Sequence, residues 1–306
     1  MIARHVTTPD DRSGGEGDDI MTNGTADYAL ITGASSGLGA EFARQLAQRG
    51  YNLILAARRK DRLEALKDEI GQTSNNTLIE IIVSDLSTPD GPERLHSAIK
   101  QKNLPVDVLI NNAGFGIYGR YEDTDWAREK ELLQVDIVAV AHLTKLFAND
   151  MITRGGGHIL QVSSIGGYQA TPTYAIYAAA KAFVLLFGEA LNFELKRKNV
   201  KVTVLSPGVT ATEFLDVAGQ RRTLYQKLTM MQAPRAVREG LNALFRGKPS
   251  VVAGLLNAFL TWSTGLMPRR LRAFVAYVVM RNLGKNCRWH GRRPAATLPS
   301  SPAERS

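Results

Sequence analysis

Tyr28-Ala-Leu-Ile-Thr32, followed without a break by Gly33-Ala-Ser-Ser-Gly37-Leu-Gly39 and then by a helical pattern from Glu41 to Arg49, is the stretch that decides the fold. A short apolar run that ends in glycine reads as a buried strand, and the amphipathic spacing beyond it reads as a helix stopped by Gly50. A glycine turn between the two lets backbone N–H groups approach an anion such as a pyrophosphate at the positive end of the helix. The spacing GxxxGxG is not the commoner GxGxxG, and a glycine cluster by itself is equally a tight turn. Its place directly after the first strand makes a dinucleotide phosphate the ligand to expect.

Outward from that turn, strands and helices alternate, which is the pattern of a doubly wound α/β sheet. Asn52–Ala57 is the second strand and ends in Arg58-Arg59-Lys60. Folds that hold an unphosphorylated ribose carry an acid near this point. Ala57 stands there instead, with an arginine beside it, so a 2′-phosphate and NADP(H) are favoured over NAD(H). The alternative is that these cations simply open a solvated helix over Asp61–Ile70. Leu78–Val83 is the third strand, with Asp85 and Leu86 placed to reach an adenine edge. Ser87 is the expected N-cap of a helix over about Pro89–Lys100. Val106–Ile110 closes in Asn111-Asn112-Ala113-Gly114, small residues against which a cofactor can lie.

Asp125–Thr153 has helical periodicity with a wide apolar face (Leu132, Leu133, Ile137, Val140, Leu143, Leu146, Phe147). The run His158-Ile159-Leu160 to Val162 reads as a strand, so Ser163 and Ser164 sit where it opens into a loop. Pro172 suits a helix start, and a helix there places Tyr177 and Lys181 on one face, one turn apart. Val200–Leu205 is a sixth strand, and Pro207-Gly208 end it abruptly enough for Thr212 to meet a nicotinamide carboxamide. Arg235–Phe245 reads as the next helix, and Ser250–Ala253 as the last strand. His142 and His158 lack any metal-ligand spacing and read as structural, so no metal is expected.

A phenol with a pKa of about 10 must fall to about 7 to work as both acid and base, a differential interaction of about 4 kcal/mol. One ammonium about 4 Å away supplies that at an effective dielectric of about 20, so Lys181 alone is expected to tune Tyr177. Ser164 would hydrogen-bond the same carbonyl oxygen that Tyr177 protonates. Taken singly, Tyr and Lys at this spacing are an ordinary helix pair.

Composition sets the remaining bounds. The chain has 306 residues, 44% hydrophobic, enough for one large α/β domain with an appendage. Cys287 is the single cysteine, which excludes an intrachain disulfide and suits a reducing compartment. Residues 1–26 read as a disordered segment without a signal-peptide core, and Met21 is a second possible start. The net charge is +9, but residues 221–306 hold 16 Lys+Arg against 2 Asp+Glu. That argues against a nucleic-acid-coating protein and for a local anionic partner.

Taken together in one order, T-G-A-S-S-G-L-G, N-N-A-G, Ser164, Tyr177/Lys181 and Pro207-Gly208 resemble the short-chain dehydrogenase/reductase family over roughly residues 27–254. The resemblance implies a Rossmann-like sheet of about seven parallel strands and nicotinamide-dependent hydride transfer. It implies Tyr177 as general acid/base, Lys181 as its tuner and a ribose ligand, and Ser164 as carbonyl stabiliser. The cofactor set it implies is Gly33, Ser35, Ser36, Gly37, Leu38, Gly39, Arg58, Asp85, Leu86, Asn112, Ala113, Gly114, Tyr177, Lys181, Pro207, Gly208 and Thr212. It also implies a homo-oligomer joined through the two long helices. One departure stands out: the family's active-site asparagine matches Asp136 here. Aspartate keeps the role if the backbone carbonyl orders a water, and loses it if a side-chain amide must donate.

Between Glu213 and Ala233 lie Phe214, Leu215, Leu224, Tyr225, Leu228, Met230 and Met231, an adaptable apolar substrate loop or else a core helix. Residues 255–284 form two apolar pieces divided by Pro268 and flanked by Arg269, Arg270, Arg272 and Arg281. Neither reaches the roughly 20 residues needed to span a bilayer. They suit a helical extension that anchors at an anionic membrane face, covers the pocket or makes a subunit contact. Residues 285–306 read as a disordered tail. The expected protein is cytoplasmic, or peripheral to the inner face of a membrane. It would interconvert an apolar ketone or aldehyde and its alcohol with NADP(H), a small polar hydroxy acid or a non-catalytic NADPH-binding scaffold being the alternatives.

Overall fold

The computed structural model describes residues 27–74, 76–210, 214–220 and 230–280. Seven strands form a single parallel sheet: β1 (Tyr28–Thr32), β2 (Asn52–Ala57), β3 (Ile79–Val83), β4 (Val106–Asn111), β5 (Gly157–Val162), β6 (Val200–Ser206) and β7 (Ser250–Val252). Their order is β3-β2-β1-β4-β5-β6-β7 with every pairing parallel. This is the doubly wound α/β sheet that the alternation of elements predicts.

The helices are α1 (Gly37–Gln48), α2 (Lys60–Thr73), α3 (Gly91–Gln101), α4 (Trp126–Leu133), α5 (Val140–Arg154), α6 (Ala175–Leu195), α7 (Phe214–Ala218), α8 (Ala233–Phe245), α9 (Leu255–Thr264) and α10 (Arg269–Met280). Every residue of β1 is buried because helices cover both faces of the sheet. The two-residue period of the strands divides the core in two. Ala29, Ile31, Leu53 and Leu55 share one side with Phe42 and Leu46 of α1 and Leu241 of α8, while Leu30 and Ile54 share the other with Ile99 of α3 and Phe147 of α5.

The chain steps outward from β1 to β3 and then returns to place β4 on the opposite side of β1. The crevice between the carboxyl ends of β1 and β4 is therefore the topological switch point, where open α/β sheets bind ligands.

Local expectations fail at three places. The helix carrying Tyr177 starts at Ala175 rather than at Pro172, because Thr173 has φ 71°, a left-handed value no helix accommodates. Ser87 does not cap α3: its hydroxyl donates to Asp85 at 2.7 Å, and Asp90 holds the cap position. The long helix expected over Asp125–Thr153 is interrupted by a π-helical stretch, Gln134–Ala139, between α4 and α5. That wider turn contains Asp136.

Candidate active site

The glycine turn is held from beneath by β1 and β4. Thr32 Oγ1 donates to the Ile110 carbonyl at 3.2 Å and accepts from the N–H groups of Asn112 (3.0 Å) and Ala113 (3.1 Å). The Asn112 amide donates to the Thr32 carbonyl at 2.9 Å, so this side chain ties strand ends together. A Cβ at Gly33, whose φ is +66°, would lie 2.9 Å from Ala113 Cα, and one at Gly39 would lie 2.2 Å from the Gly33 carbonyl oxygen. Only glycine leaves the approach open at both positions. Gly39 is buried beneath the cavity floor, whereas Gly33, Ser35, Ser36, Gly37 and Leu38 line it.

From the turn, one cavity of about 630 Å³ runs past Arg58, Arg59, Asp85 and Leu86, over Asn112-Ala113-Gly114, to Ser164, Tyr177, Lys181, Pro207 and Gly208. Sixteen of the expected site residues thus share one space. Thr212 lies outside the described residues, as do Leu224, Tyr225, Leu228 and Arg281. A length of cavity floored by bare backbone, with two guanidinium groups at one end and a phenol at the other, fits a nicotinamide dinucleotide in its extended form. Arg59 was not singled out by sequence, yet its guanidinium donates to Ser36 Oγ at 2.9 Å and Ser35 Oγ at 3.2 Å, at the edge of the turn.

At the other end, Ser164 Oγ accepts from the Gly166 N–H at 3.1 Å and lies near enough to Tyr177 to favour its ionised form. Ser163 turns away, its hydroxyl donating to the Lys181 carbonyl at 2.7 Å. The Lys181 ammonium stands 5.7 Å from the Tyr177 ring centre, donates to the Val162 carbonyl at 3.1 Å and meets Asp136 Oδ1 at 2.7 Å. Asp136 Oδ2 accepts from the Phe115 N–H at 3.1 Å, and the carboxylate has no exposure to solvent.

This geometry adds an arrangement to the alternatives left open at Asp136 and corrects one expectation. At Asp136 it is the side chain, and not a backbone carbonyl, that reaches the lysine. Nor does Lys181 bring Tyr177 down by itself. Burial pushes the phenol above its ordinary value; the ammonium and the Ser164 hydroxyl pull it back, and the Asp136 carboxylate opposes them. Burial also works against the Lys181 ammonium, but Asp136 and Tyr177 outweigh it and hold the amine above its usual range.

The far end of the cavity is walled by residues brought from distant parts of the chain. The Tyr174 ring packs with its centre 5.7 Å from that of Tyr177, and the Phe214 ring of α7 packs 5.3 Å from the same tyrosine. Tyr174 Oη donates to Gln220 Oε1 at 2.8 Å, and Gln220 Nε2 donates to the Met280 carbonyl at 2.9 Å. α9, α10 and the turn between them close this end with Leu260, Met267, Val279 and Met280. Nothing local in the sequence marks Gln220, since both of its partners arrive through tertiary structure.

A dinucleotide cradle at the switch point, joined to a half-buried serine and tyrosine and a buried lysine, defines an oxidoreductase acting on hydroxyl or carbonyl groups. The family model for short chain dehydrogenase matches residues 27–223. Over 271 residues the chain is 31% identical to a very-long-chain 3-oxoacyl-CoA reductase of Coccidioides immitis, covering 86% of this chain and 74% of that protein. It is 30% identical to 17-beta-hydroxysteroid dehydrogenase type 3 of Homo sapiens, covering 82% of each. Among solved structures, a short-chain dehydrogenase from Sphingobium yanoikuyae in complex with NADPH superimposes with a TM-score of 0.70 at 30% identity, covering 79% of this chain and 95% of that one. The chain belongs to the short-chain dehydrogenase/reductase family.

Proposed function

We propose that the protein is an NADPH-dependent reductase of an apolar ketone or aldehyde, of acyl, steroid-like or other lipid-derived type, with residues 27–254 as the catalytic domain. The observation that carries this reading is the two-ended cavity: guanidinium groups and bare backbone at one end, Tyr177 and apolar helices at the other. When bound, the nicotinamide cofactor supplies the hydride. Gly33 to Gly39 receive its pyrophosphate on backbone N–H groups. Arg58 and Arg59, with Ala57 where an acid would select a free ribose, favour the 2′-phosphate. Ser164 Oγ holds the substrate carbonyl oxygen beside Tyr177 Oη, which gives up its proton as charge develops there. Lys181 stabilises the phenolate left behind, and Asp136 fixes the ammonium in place for that purpose.

The apolar substrate class is supported by Leu260, Met267, Val279 and Met280 in the cavity wall, and by relatives named for a very-long-chain 3-oxoacyl-CoA and a 17-beta-hydroxysteroid. Self-association through the surfaces of α4 and α6 is supported by Trp126 on the first and Leu186 and Phe193 on the second, which are 61%, 67% and 86% exposed. A turnover screen over apolar and polar carbonyls, each with NADPH and NADH, tests the function. Reduction of long-chain or polycyclic ketones with at least about tenfold higher kcat/KM for NADPH is expected, the effect of one good charge-assisted contact. Turnover confined to small polar hydroxy acids, or no turnover despite tight NADPH binding, would overturn it.

A further inference from the structure

α9 and α10 turn different faces to two different environments. Inward, Leu260, Met267, Val279 and Met280 line the cavity. Outward on α9, Leu255, Phe259 and Trp262 follow one another at four- and three-residue steps and are 85%, 61% and 64% exposed, with Leu266 in the turn beyond 73% exposed. On α10, Leu271, Phe274 and Val278 make a second such row at three- and four-residue steps, 46%, 63% and 40% exposed. Such steps keep a row on one side of a helix. A row this apolar facing water marks a surface that meets something else.

Charge decides what that is. Arg269 and Arg270 stand exposed where the two helices meet, and residues 255–280 contain no Asp or Glu at all. A second copy of this chain docking through the same face would, by symmetry, set arginines against arginines with no carboxylate to receive them. Residues 281–306 are no better suited as a cover, with six Lys+Arg against Glu304. A bilayer with anionic headgroups offers an apolar interior and a negative surface at adjoining depths. At 10 and 12 residues the helices are too short to cross it and long enough to lie in its surface.

We propose that α9 and α10 form a two-faced lid that docks the protein on an anionic membrane and opens the apolar end of the cavity toward the lipid. Gln220 links the two events, because it joins the end of α10 at Met280 to Tyr174, which packs against Tyr177. Docking stands apart from the chemistry proposed above; delivery of substrate from the bilayer rests on that reading.

The test is flotation of the full chain with vesicles of phosphatidylcholine and phosphatidylserine, against phosphatidylcholine alone. The wild type should float with the anionic vesicles and release at high salt. The triple variant Phe259→Ser/Trp262→Ser/Phe274→Ser and the pair Arg269→Glu/Arg270→Glu should each lower vesicle affinity on the order of tenfold or more. Circular dichroism and turnover of a water-soluble carbonyl should stay unchanged in both, since none of these side chains lines the cavity. KM for a long-chain ketone dissolved in the vesicles should rise in step with lost binding. Failure of the wild type to float overturns docking, as does undiminished flotation of the triple variant or a stripe that holds two copies together in sedimentation. If no carbonyl is turned over, the reductase reading falls while flotation still decides docking. An unchanged KM in variants that no longer float removes the delivery step alone.

Discussion

Gly39, beneath the glycine turn, and Phe259, on the outer face of α9, tolerate change very differently. A methyl group at Gly39 would stand 2.2 Å from a backbone oxygen, whereas the Phe259 ring is 61% exposed and leans on Trp262 at 6.1 Å. At the cofactor end, backbone geometry dictates the residue. At the lid, the surroundings dictate only its polarity, and many side chains would serve. In the proposed reading, one end specifies the chemistry and the other specifies where it happens.

The sharpest way to break that contrast is Gly39→Ala. It should lower stability by about 3 kcal/mol, because the added methyl meets backbone that cannot move aside, and it should weaken NADPH binding severely in calorimetric titration. Phe259→Ser, at the other end, should stay within about 0.5 kcal/mol of wild type in urea unfolding. Equal effects would abolish the distinction.

His158 probes the rigid half from within. Burial, with help from the Lys201 charge, lowers its pKa from 6.5 to about 4. As pH falls, the unfolded chain takes up this proton first, so the contribution of a neutral His158 is intact above about pH 6.5 and lost progressively down to about pH 4. The loss amounts to at most about 3 kcal/mol. The stability of wild type relative to His158→Leu should therefore fall as pH drops through that window, and a constant difference would show that His158 is not held neutral in the fold.

Next in size is the guanidinium pair. Arg58→Ala/Arg59→Ala should raise Kd for NADPH about tenfold or more and leave Kd for NADH nearly unchanged. Equal losses would mean that both arginines serve the turn alone. The smallest shift is expected from Asp136→Asn. Removing a carboxylate that holds the phenol up should move the alkaline limb of the reduction profile to lower pH, since the reduction needs a protonated Tyr177. A superimposable pH–rate profile would leave Asp136 without influence on the proton.

The same contrast explains what could be read in advance. Gly33, Gly37, Gly39, Ser164, Tyr177 and Lys181 were legible because each position needs a particular residue type at a fixed distance from a strand end. Asp136 was legible as a departure but not in its action, because a π-helical turn carries its side chain to the lysine. Arg59, Tyr174 and Gln220 were missed or undervalued for one shared reason: their partners lie 23, 46 and 60 residues away or more distant still in effect, and no local pattern records such meetings. The start of α6 was misplaced because the rule that favours proline at a helix start says nothing of the left-handed residue after it. The outward face of α9 and α10 was visible as apolar and basic, but its division into inner and outer rows needed the helices in place.

The central claim is that Tyr177 gives the proton, and Tyr177→Phe tests it most directly. The variant should fold, bind NADPH with near wild-type Kd, and reduce the best substrate about 100-fold to 10,000-fold more slowly in kcat, the usual contribution of a positioned general acid. Undiminished turnover in folded, cofactor-loaded Tyr177→Phe protein would contradict the account.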